Sequence, residues 1–223
     1  MKISEINIPK QIYILAGFSV MLSLARVVFF GSTSLLYLLW NMFLAFLPFL
    51  ISSVLVWHID HNKASTITVT ISGIFWLLLF PNAPYIVTDL MHLGESSVVP
   101  IWYDTLLYFC FATVGLTLGF HSLFHVEHLL KERWSRHYVR NMLGFLLLFS
   151  SFGIYLGRFL RFNSWDVFTD NNNFIKNIML VLSGTLHFPD AYIFTVSFFS
   201  FLWVFYIAWK YSKEEHLSRK DLR

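Results

Sequence analysis

The sequence predicts an all-α integral membrane protein, a helical bundle with six transmembrane helices. Of the 223 residues, 57% are hydrophobic, 19% are aromatic and only 13% are charged, whereas soluble domains average about 25% charged residues. Apolar runs close to the ~20 residues that cross a bilayer recur six times. These runs lie near residues 12–30, 36–57, 64–80, 101–126, 138–157 and 191–209.

The distribution of charge predicts the topology. Lys and Arg mark cytoplasmic loops, and 12 of the 16 lie at the termini or after the second and fourth runs. Six spans place all twelve on one side, which predicts a multi-pass protein of the cell membrane with both termini in the cytoplasm. The net charge of +3 is therefore explained by the basic residues of the predicted cytoplasmic segments, and no nucleic-acid partner is predicted. Arg26, Arg158, Arg161 and Lys176 are left for the outer half.

Residues 1–210 are expected to form a single transmembrane domain, followed by a charged, frayed cytoplasmic tail at 211–223. Segment 172–188 is apolar enough to enter the membrane, but as a seventh span it would place the basic C-terminus outside. We expect an interfacial or re-entrant helix there, with a seventh span as the alternative. The single cysteine, Cys110, lies inside a span, which excludes disulfides within the chain and cysteine-based zinc sites.

The stretch 81–93 is the first candidate site. Its two prolines end the third apolar run, because each removes a donor and disfavours helix in the residue before it. Asn82 is a candidate N-cap and Pro84 fits the first turn of a new short helix. An α-helix over 85–93 would carry a polar stripe on one face. That stripe consists of Tyr85, Thr88, Asp89 and His92.

The topology brings further polar residues to the same outer level. Arg26 lies in the first span and Asn41 in the second, while Asp104 opens the fourth. An ionisable group at the centre of a span costs about 2.5–3.5 kcal/mol, so Arg26 needs a partner, a cavity or a snorkelling path. We expect a functional cleft roofed by segments 82–93 and 162–190. The simpler alternatives are that Arg26 snorkels to headgroups and that Asp104 caps a helix.

A pair of arginines closes the fifth span. Arg158 and Arg161, three residues apart on one predicted helix face, suit a phosphate or carboxylate. That anion would be a lipid headgroup, a lipid-linked phosphate or a soluble ligand. An ion pair with Asp166 or Asp170 is the alternative, and Trp165 is expected to anchor the following turn at the interface.

Three histidines recur along the fourth span at i, i+4 and i+7, namely His121, His125 and His128, with Glu127 beside them. This spacing suits metal binding, but the stripe lies at the cytoplasmic end and runs into a basic loop. We therefore expect a solvated or headgroup-facing histidine face and no metal site. The sequence does not identify a cofactor.

Several long segments resemble those of an uncharacterised prokaryotic membrane-protein family, domain of unknown function 1361. The similar segments are 80–85, 88–89, 92–93, 102–104, 153–161 and 163–166, together with Arg26 and 40–48. The resemblance covers roughly residues 20–210 and does not include the histidine stripe. It implies a multi-pass membrane protein without an established activity.

Two function classes follow from these patterns. In the first, a membrane-embedded enzyme acts on a lipid or lipid-linked anionic substrate. Asp89 or His92 would be its general base, or would bind a divalent cation together with Asp104. The residues expected to bind substrate are Arg158, Arg161, Asn82, Tyr85, Arg26, Asn41, Trp165 and Asp166. The alternative is a non-catalytic binding, transport or scaffolding protein. Membrane lipid is the expected partner, and the oligomeric state stays open.

Overall fold

Six helical stretches in the computed structural model are long and apolar enough to cross a membrane. They are Lys10–Phe30, Tyr37–Asp60, Thr66–His92, Ile101–Lys131, Arg136–Phe159 and Asp190–Glu215. The structure describes residues 9–61, 63–94, 98–161, 178, 179, 181 and 189–221, with the side chains of 189 and 216–221 outside this description. No strand occurs among these residues, so the predicted all-α membrane bundle is confirmed.

The chain divides into two compact units, residues 1–132 and residues 133–223. The first unit contains α1 (Lys10–Phe30), α2 (Tyr37–Asp60), α3 (Thr66–Leu79), α4 (Asn82–Tyr85), a 3₁₀ helix (Ile86–His92) and α5 (Ile101–Lys131). The second unit contains α6 (Arg136–Phe159) and α7 (Pro189–Asp221). The single-domain boundary at residue 210 stays a prediction.

The third span is interrupted where the sequence places its two prolines. The 14 residues of α3 extend only about 21 Å at 1.5 Å per residue, and α4 and the 3₁₀ helix complete the stretch to His92. Pro84 lies in α4 as predicted, but Asn82 is not its N-cap. The Asn82 side chain instead donates from Nδ2 to the carbonyl oxygen of Leu79 at 2.9 Å. Asn82 thus supplies a donor to a carbonyl at the end of α3, because the Ala83 amide, which is the α-helical donor for Leu79, bonds the Phe80 carbonyl oxygen at 3.1 Å instead.

Helix α5 is the centre of the first unit, and α1, α2, α4 and the 3₁₀ helix all pack against it. Two thirds of the residues in its most apolar stretch are buried. Helices α2 and α5 run parallel, because the hydrogen-bonded pairs between them keep a nearly constant separation of 71 to 74 positions in sequence. These pairs are Tyr37 with Tyr108, Pro48 with Ser122, and Ser52 with His125.

Two glycines of α5 allow α4 to pack unusually close. A Cβ atom on Gly115 would lie 2.5 Å from the carbonyl oxygen of Ala83, and one on Gly119 would lie 3.3 Å from the Ala83 Cβ. Small residues at four-residue spacing permit such close approach between membrane helices. Ala83 and Ile86 are 0% and 1% exposed. The first part of segment 82–93 thus packs into the core of the first unit, whereas Met91 near its end is 56% exposed. The outer pocket that this segment was expected to roof stays a prediction.

In the second unit, α6 and α7 pack through aromatic rings. The Phe194 ring centroid lies 5.9 Å from that of Tyr155 and 5.3 Å from that of Phe159. Helix α7 continues to Asp221, so the tail that was expected to fray is helical as far as that residue. Segment 172–188 lies almost entirely outside the described residues, and its crossing of the membrane stays untested.

Candidate functional site

A buried ion pair joins the C-terminal end of α1 to the N-terminal end of α5. Arg26 donates from Nε to Oδ1 of Asp104 at 2.8 Å and from Nη2 to Oδ2 at 3.1 Å. Its Nη1 donates to the carbonyl oxygen and the hydroxyl of Ser32 at 3.0 and 2.9 Å. Arg26 is 1% exposed and Asp104 is 4% exposed. The partner that Arg26 requires is therefore Asp104, and the alternatives of headgroup snorkelling and simple helix capping are wrong.

A second buried carboxylate, Asp89, belongs to the 3₁₀ helix and is 1% exposed. The side-chain amide of Asn41 on α2 donates from Nδ2 to Oδ2 of Asp89 at 2.8 Å. One turn earlier on α2, the hydroxyls of Tyr37 and Tyr108 lie 3.1 Å apart. The described partner of Asp89 is thus a neutral amide, whereas that of Asp104 is a guanidinium.

The two carboxylates lie at different depths in the first unit. The separation of 71 to 74 positions between paired residues of α2 and α5 sets Asn41 level with residues 112–115. That level is about 12–16 Å beyond Asp104 along α5 at 1.5 Å per residue. Asp89 therefore lies close to the middle of α5. The single outer level that the sequence suggested for Arg26 and Asn41 is wrong.

The 3₁₀ geometry changes which side chains share a face. With three residues per turn, side chains at i and i+3 are eclipsed, so Asp89 and His92 lie on one face of this helix. Tyr85 and Thr88 lie on another, where the Thr88 hydroxyl donates to the Tyr85 carbonyl oxygen at 2.6 Å. The predicted four-residue stripe is thus divided in two. His92 and Tyr85 are half-buried, whereas Thr88 is buried.

The arginine pair belongs to the second unit. Helix α6 ends at Phe159, so the half-buried Arg158 lies in its last turn and the exposed Arg161 lies beyond it. Arg161 has a φ of 58°, a left-handed conformation common just after helix ends. The two arginines therefore do not share a helix face as predicted. Trp165 and Asp166 lie outside the described residues, and the anion-binding role of all four stays a prediction.

The histidine stripe is buried, contrary to the expectation of a solvated face. His121 and His125 are 4% and 8% exposed, and their ring centroids lie 6.3 and 5.7 Å from that of Phe49 on α2. His128 is half-buried, and its Nε2 lies 3.7 Å from Oε1 of Glu132. Within the described part of the chain, no group of three or more His, Cys, Asp or Glu side chains could hold a metal ion.

Sequence reasoning missed the polar contacts that join three helices in the first unit. The indole of Trp76 on α3 donates to the Ser122 hydroxyl at 2.6 Å, and that hydroxyl donates to the carbonyl oxygen of Pro48 at 2.9 Å. A signal was present in the spacing along α5. Seven residues of α5 follow one another at intervals of four and three positions in turn, which is the spacing of residues at a packing interface between helices. All seven are buried. They are Asp104, Tyr108, Phe111, Gly115, Leu118, Ser122 and His125.

The fold defines a multi-pass membrane protein of the all-α class with buried polar groups between its helices. Residues 40–205 match the family model described as protein of unknown function (DUF1361), and the chain belongs to this family. The matched range includes Asn41, Asp89 and Asp104, while Arg26 precedes it. No curated protein and no solved structure is significantly similar to the chain.

Proposed function

We propose that this protein acts on a membrane lipid or a lipid-linked anionic substrate, with Asp89 and His92 as its acid–base pair. One observation carries the proposal: the 3₁₀ helix places His92 one turn from a buried carboxylate that the amide of Asn41 holds at 2.8 Å. Ionisable groups inside a membrane span are functional candidates by default, because they are costly to keep there.

The chemistry assigns different tasks to the two side chains. The Asn41 hydrogen bond restrains one oxygen of Asp89, which fixes the direction of the carboxylate. His92 is half-buried and lies nearer the end of the 3₁₀ helix, so we assign it the proton exchange with substrate. Imidazole suits this task because its ordinary titration range lies near neutral pH.

Asp104 has a different task in this proposal. Its two oxygens accept from Arg26, which opposes its use as a general base or metal ligand. We therefore assign Arg26 and Asp104 the task of holding α1 against α5. The predicted anion-binding role of Arg158 and Arg161 concerns the second unit, and the proposal for Asp89 does not depend on it.

A binding or transport function is the second candidate, and the interrupted third span favours it. In many transporters, discontinuous helices lie near the middle of the membrane and carry the binding site. Here α3 ends at Leu79, and Asn41 and its partner Asp89 lie level with the middle of α5. Transport would use the same carboxylate without any covalent change in the ligand.

The test is an untargeted profile of membrane lipids from cells that express wild type, Asp89→Asn or neither. The Asp89→Asn variant can still accept the Asn41 hydrogen bond, so its fold should persist. The matched control is Glu214→Gln, which removes an exposed carboxylate of α7. We expect a lipid species that appears or disappears with wild type and with the control, but not with Asp89→Asn.

Two outcomes oppose the catalytic proposal. Identical profiles at equal protein level would overturn it and favour binding or transport. A wild-type change that persists in Asp89→Asn would exclude Asp89 as the catalytic group.

We also propose a cell-membrane location with cytoplasmic termini, on the basis of the Lys and Arg distribution. Single cysteines at Ser96 and Ser135, in a Cys110→Ser background, test this orientation. A reagent that does not cross the membrane should label position 96 and not position 135 in intact cells. Labelling of position 135 alone would show that the orientation is the opposite of the one proposed.

A further inference from the structure

An exposed basic surface lies at the start of the second unit, around the first two turns of α6. We call it the arginine surface. It consists of Arg133, Trp134, Arg136, Tyr138 and Arg140, all of which are exposed. Its positive charge has no counterpart nearby in the chain, because the sequence contains no Asp or Glu between residues 133 and 165. The surface is distinct from the anion site predicted around Arg158 and Arg161, which lie at the other end of α6.

The three arginines present their guanidinium groups to an outside ligand. Among the described residues, the side chains of Arg133, Arg136 and Arg140 form no hydrogen bond and no ion pair. Arg136 and Arg140 are four residues apart, so they lie on the same side of α6. A guanidinium group donates two parallel hydrogen bonds to a phosphate. The surface therefore suits a ligand that carries a phosphate group.

The backbone at the start of α6 adds to this positive charge. The first amides of a helix have no acceptor within the helix, and the N-terminal end carries a partial positive charge. The N-cap residue, Ser135, forms no capping hydrogen bond with its side chain, and the first turn contains no acidic residue. Arg136 instead places a second positive charge in that turn. An anion bound here would be stabilised by the helix end as well as by the arginines.

The length of α6 places the arginine surface at the level of the lipid headgroups. The 17 residues at 141–157 carry no charge, and at 1.5 Å per residue they extend about 26 Å, close to the ~30 Å hydrocarbon core of a bilayer. Trp134 and Tyr138 are 46% and 54% exposed, and their ring centroids lie 5.7 Å apart. Exposed Trp and Tyr are typical of the membrane–water interface, which agrees with this level.

Helix α7 does not neutralise the arginine surface. Helices α6 and α7 run antiparallel, because Gly144 lies close to Trp203 and Tyr155 lies close to Phe194. The C-terminal part of α7 therefore lies beside the first turns of α6. Its described charged side chains in this part are Lys210, Lys213, Glu214 and Glu215. Two lysines and two glutamates cancel in charge, so the excess of positive charge at this end comes from the arginines.

From this placement we propose that the arginine surface binds the headgroup of an anionic membrane phospholipid. The phosphate of such a lipid is always present at the level that Arg136 and Arg140 occupy, and each Lys or Arg close to a membrane surface strengthens the attraction to anionic lipids. A soluble acidic protein would have to approach the same level from the aqueous phase, which makes it the less suitable partner. The proposal depends neither on the role of Asp89 nor on which side of the membrane the surface faces.

The competing explanation is that these arginines only determine topology. Basic residues next to a span direct its orientation during insertion, and this role requires no particular lipid afterwards. In that case, anionic and zwitterionic lipids would be equally abundant beside the arginines. The two explanations therefore differ in the local lipid composition, which can be measured.

The test measures which lipid lies beside the arginine surface. Full-length protein with Ser135→Cys in the Cys110→Ser background is labelled with bimane and placed in phosphatidylcholine bilayers. The bilayers contain equal small fractions of phosphatidylglycerol or phosphatidylcholine that carry a quenching doxyl group near the headgroup. We expect phosphatidylglycerol to be enriched over phosphatidylcholine at position 135 by about fivefold or more, and high salt to reduce this enrichment. Equal quenching by the two lipids, in folded protein, would overturn the proposal.

A pair of charge-matched variants in the same labelled protein tests the role of the arginines. Arg136→Gln/Arg140→Gln should reduce the enrichment to about twofold or less, and substitution of exposed side chains should leave the protein folded. Lys10→Gln/Lys63→Gln is the matched control, because it removes the same charge from exposed positions of the first unit, and it should preserve the enrichment. An enrichment that persists in the arginine variant, or that falls equally in both variants, would contradict binding at the arginine surface.

Discussion

Asp104 and Asp89 are both buried carboxylates of the first unit, yet their surroundings differ. Asp104 accepts two hydrogen bonds from the guanidinium of Arg26, which forms two further bonds to Ser32. Asp89 accepts from the neutral amide of Asn41. The guanidinium that binds Asp104 is charged, whereas the Asn41 amide that binds Asp89 is neutral. Both contacts connect helices, and the comparison is therefore how much stability each carboxylate loses when its charge is removed.

The largest effect should come from breaking the ion pair. Asp104→Ala leaves a buried guanidinium without its counter-ion, and we expect unfolding free energy to fall by about 3–5 kcal/mol. Unfolding by SDS in mixed micelles measures this loss. The control Glu214→Ala removes an exposed carboxylate of α7 and should change stability by less than about 0.5 kcal/mol.

The double variant Arg26→Met/Asp104→Leu sharpens this prediction. Removing both charges eliminates the uncompensated group, so the double variant should be more stable than Asp104→Ala. Additive losses from the two positions would mean that Arg26 and Asp104 act independently, contrary to their 2.8 Å contact.

The next effect concerns the glycine contact that positions the segment carrying Asp89. Gly115→Ala would bring a Cβ to 2.5 Å from the Ala83 carbonyl oxygen, so we expect a loss of about 1–3 kcal/mol from overpacking. Gly17→Ala and Gly73→Ala are matched controls, because nothing lies within 4 Å of a Cβ at either position. If all three variants had equal stability, the close approach of α4 to α5 would be wrong.

A smaller effect is expected at the contact between Trp76, Ser122 and Pro48. Ser122→Ala leaves the buried indole N–H without its acceptor, which should cost about 1–2 kcal/mol. Trp76→Phe/Ser122→Ala removes donor and acceptor together and should recover part of that loss. Ser200→Ala is the control, since this serine is exposed and bonds only the Val196 carbonyl of its own helix among the contacts described. Equal losses for Ser122→Ala and Ser200→Ala would contradict the bridging role.

The six spans could be predicted from the sequence because bilayer crossing depends on local composition and length. The pairing of Arg26 with Asp104 could not, since it depends on how α1 is placed against α5. The same limitation explains the histidines. Helix α5 is so extensively buried that a polar stripe at its end does not indicate exposure, and His121 and His125 contact α1 and α2.

The region around Asp89 shows a second limit. Proline spacing predicted the break after Leu79, because proline acts on the backbone locally. After Tyr85 the helix changes from α to 3₁₀ geometry, and the number of residues per turn falls from 3.6 to 3.0. A sequence pattern analysed with 3.6 residues per turn cannot detect this change. The glycines at 115 and 119 do not indicate this change of geometry, but their four-residue spacing predicts a close helix contact at α5.

Asp89→Asn should have the smallest effect on stability, which makes it the sharpest test of the difference between the two carboxylates. The new amide oxygen can still accept from Asn41, so we expect a loss below about 1 kcal/mol in the same SDS unfolding measurement. Asp104→Asn should cost more, because Arg26 then lacks its counter-ion. A loss at Asp89 that equals the loss at Asp104 would identify Asp89 as another structural partner and remove the support for its acid–base role. A stable Asp89→Asn protein whose membrane lipids lack the wild-type change would instead separate stability from function at this position.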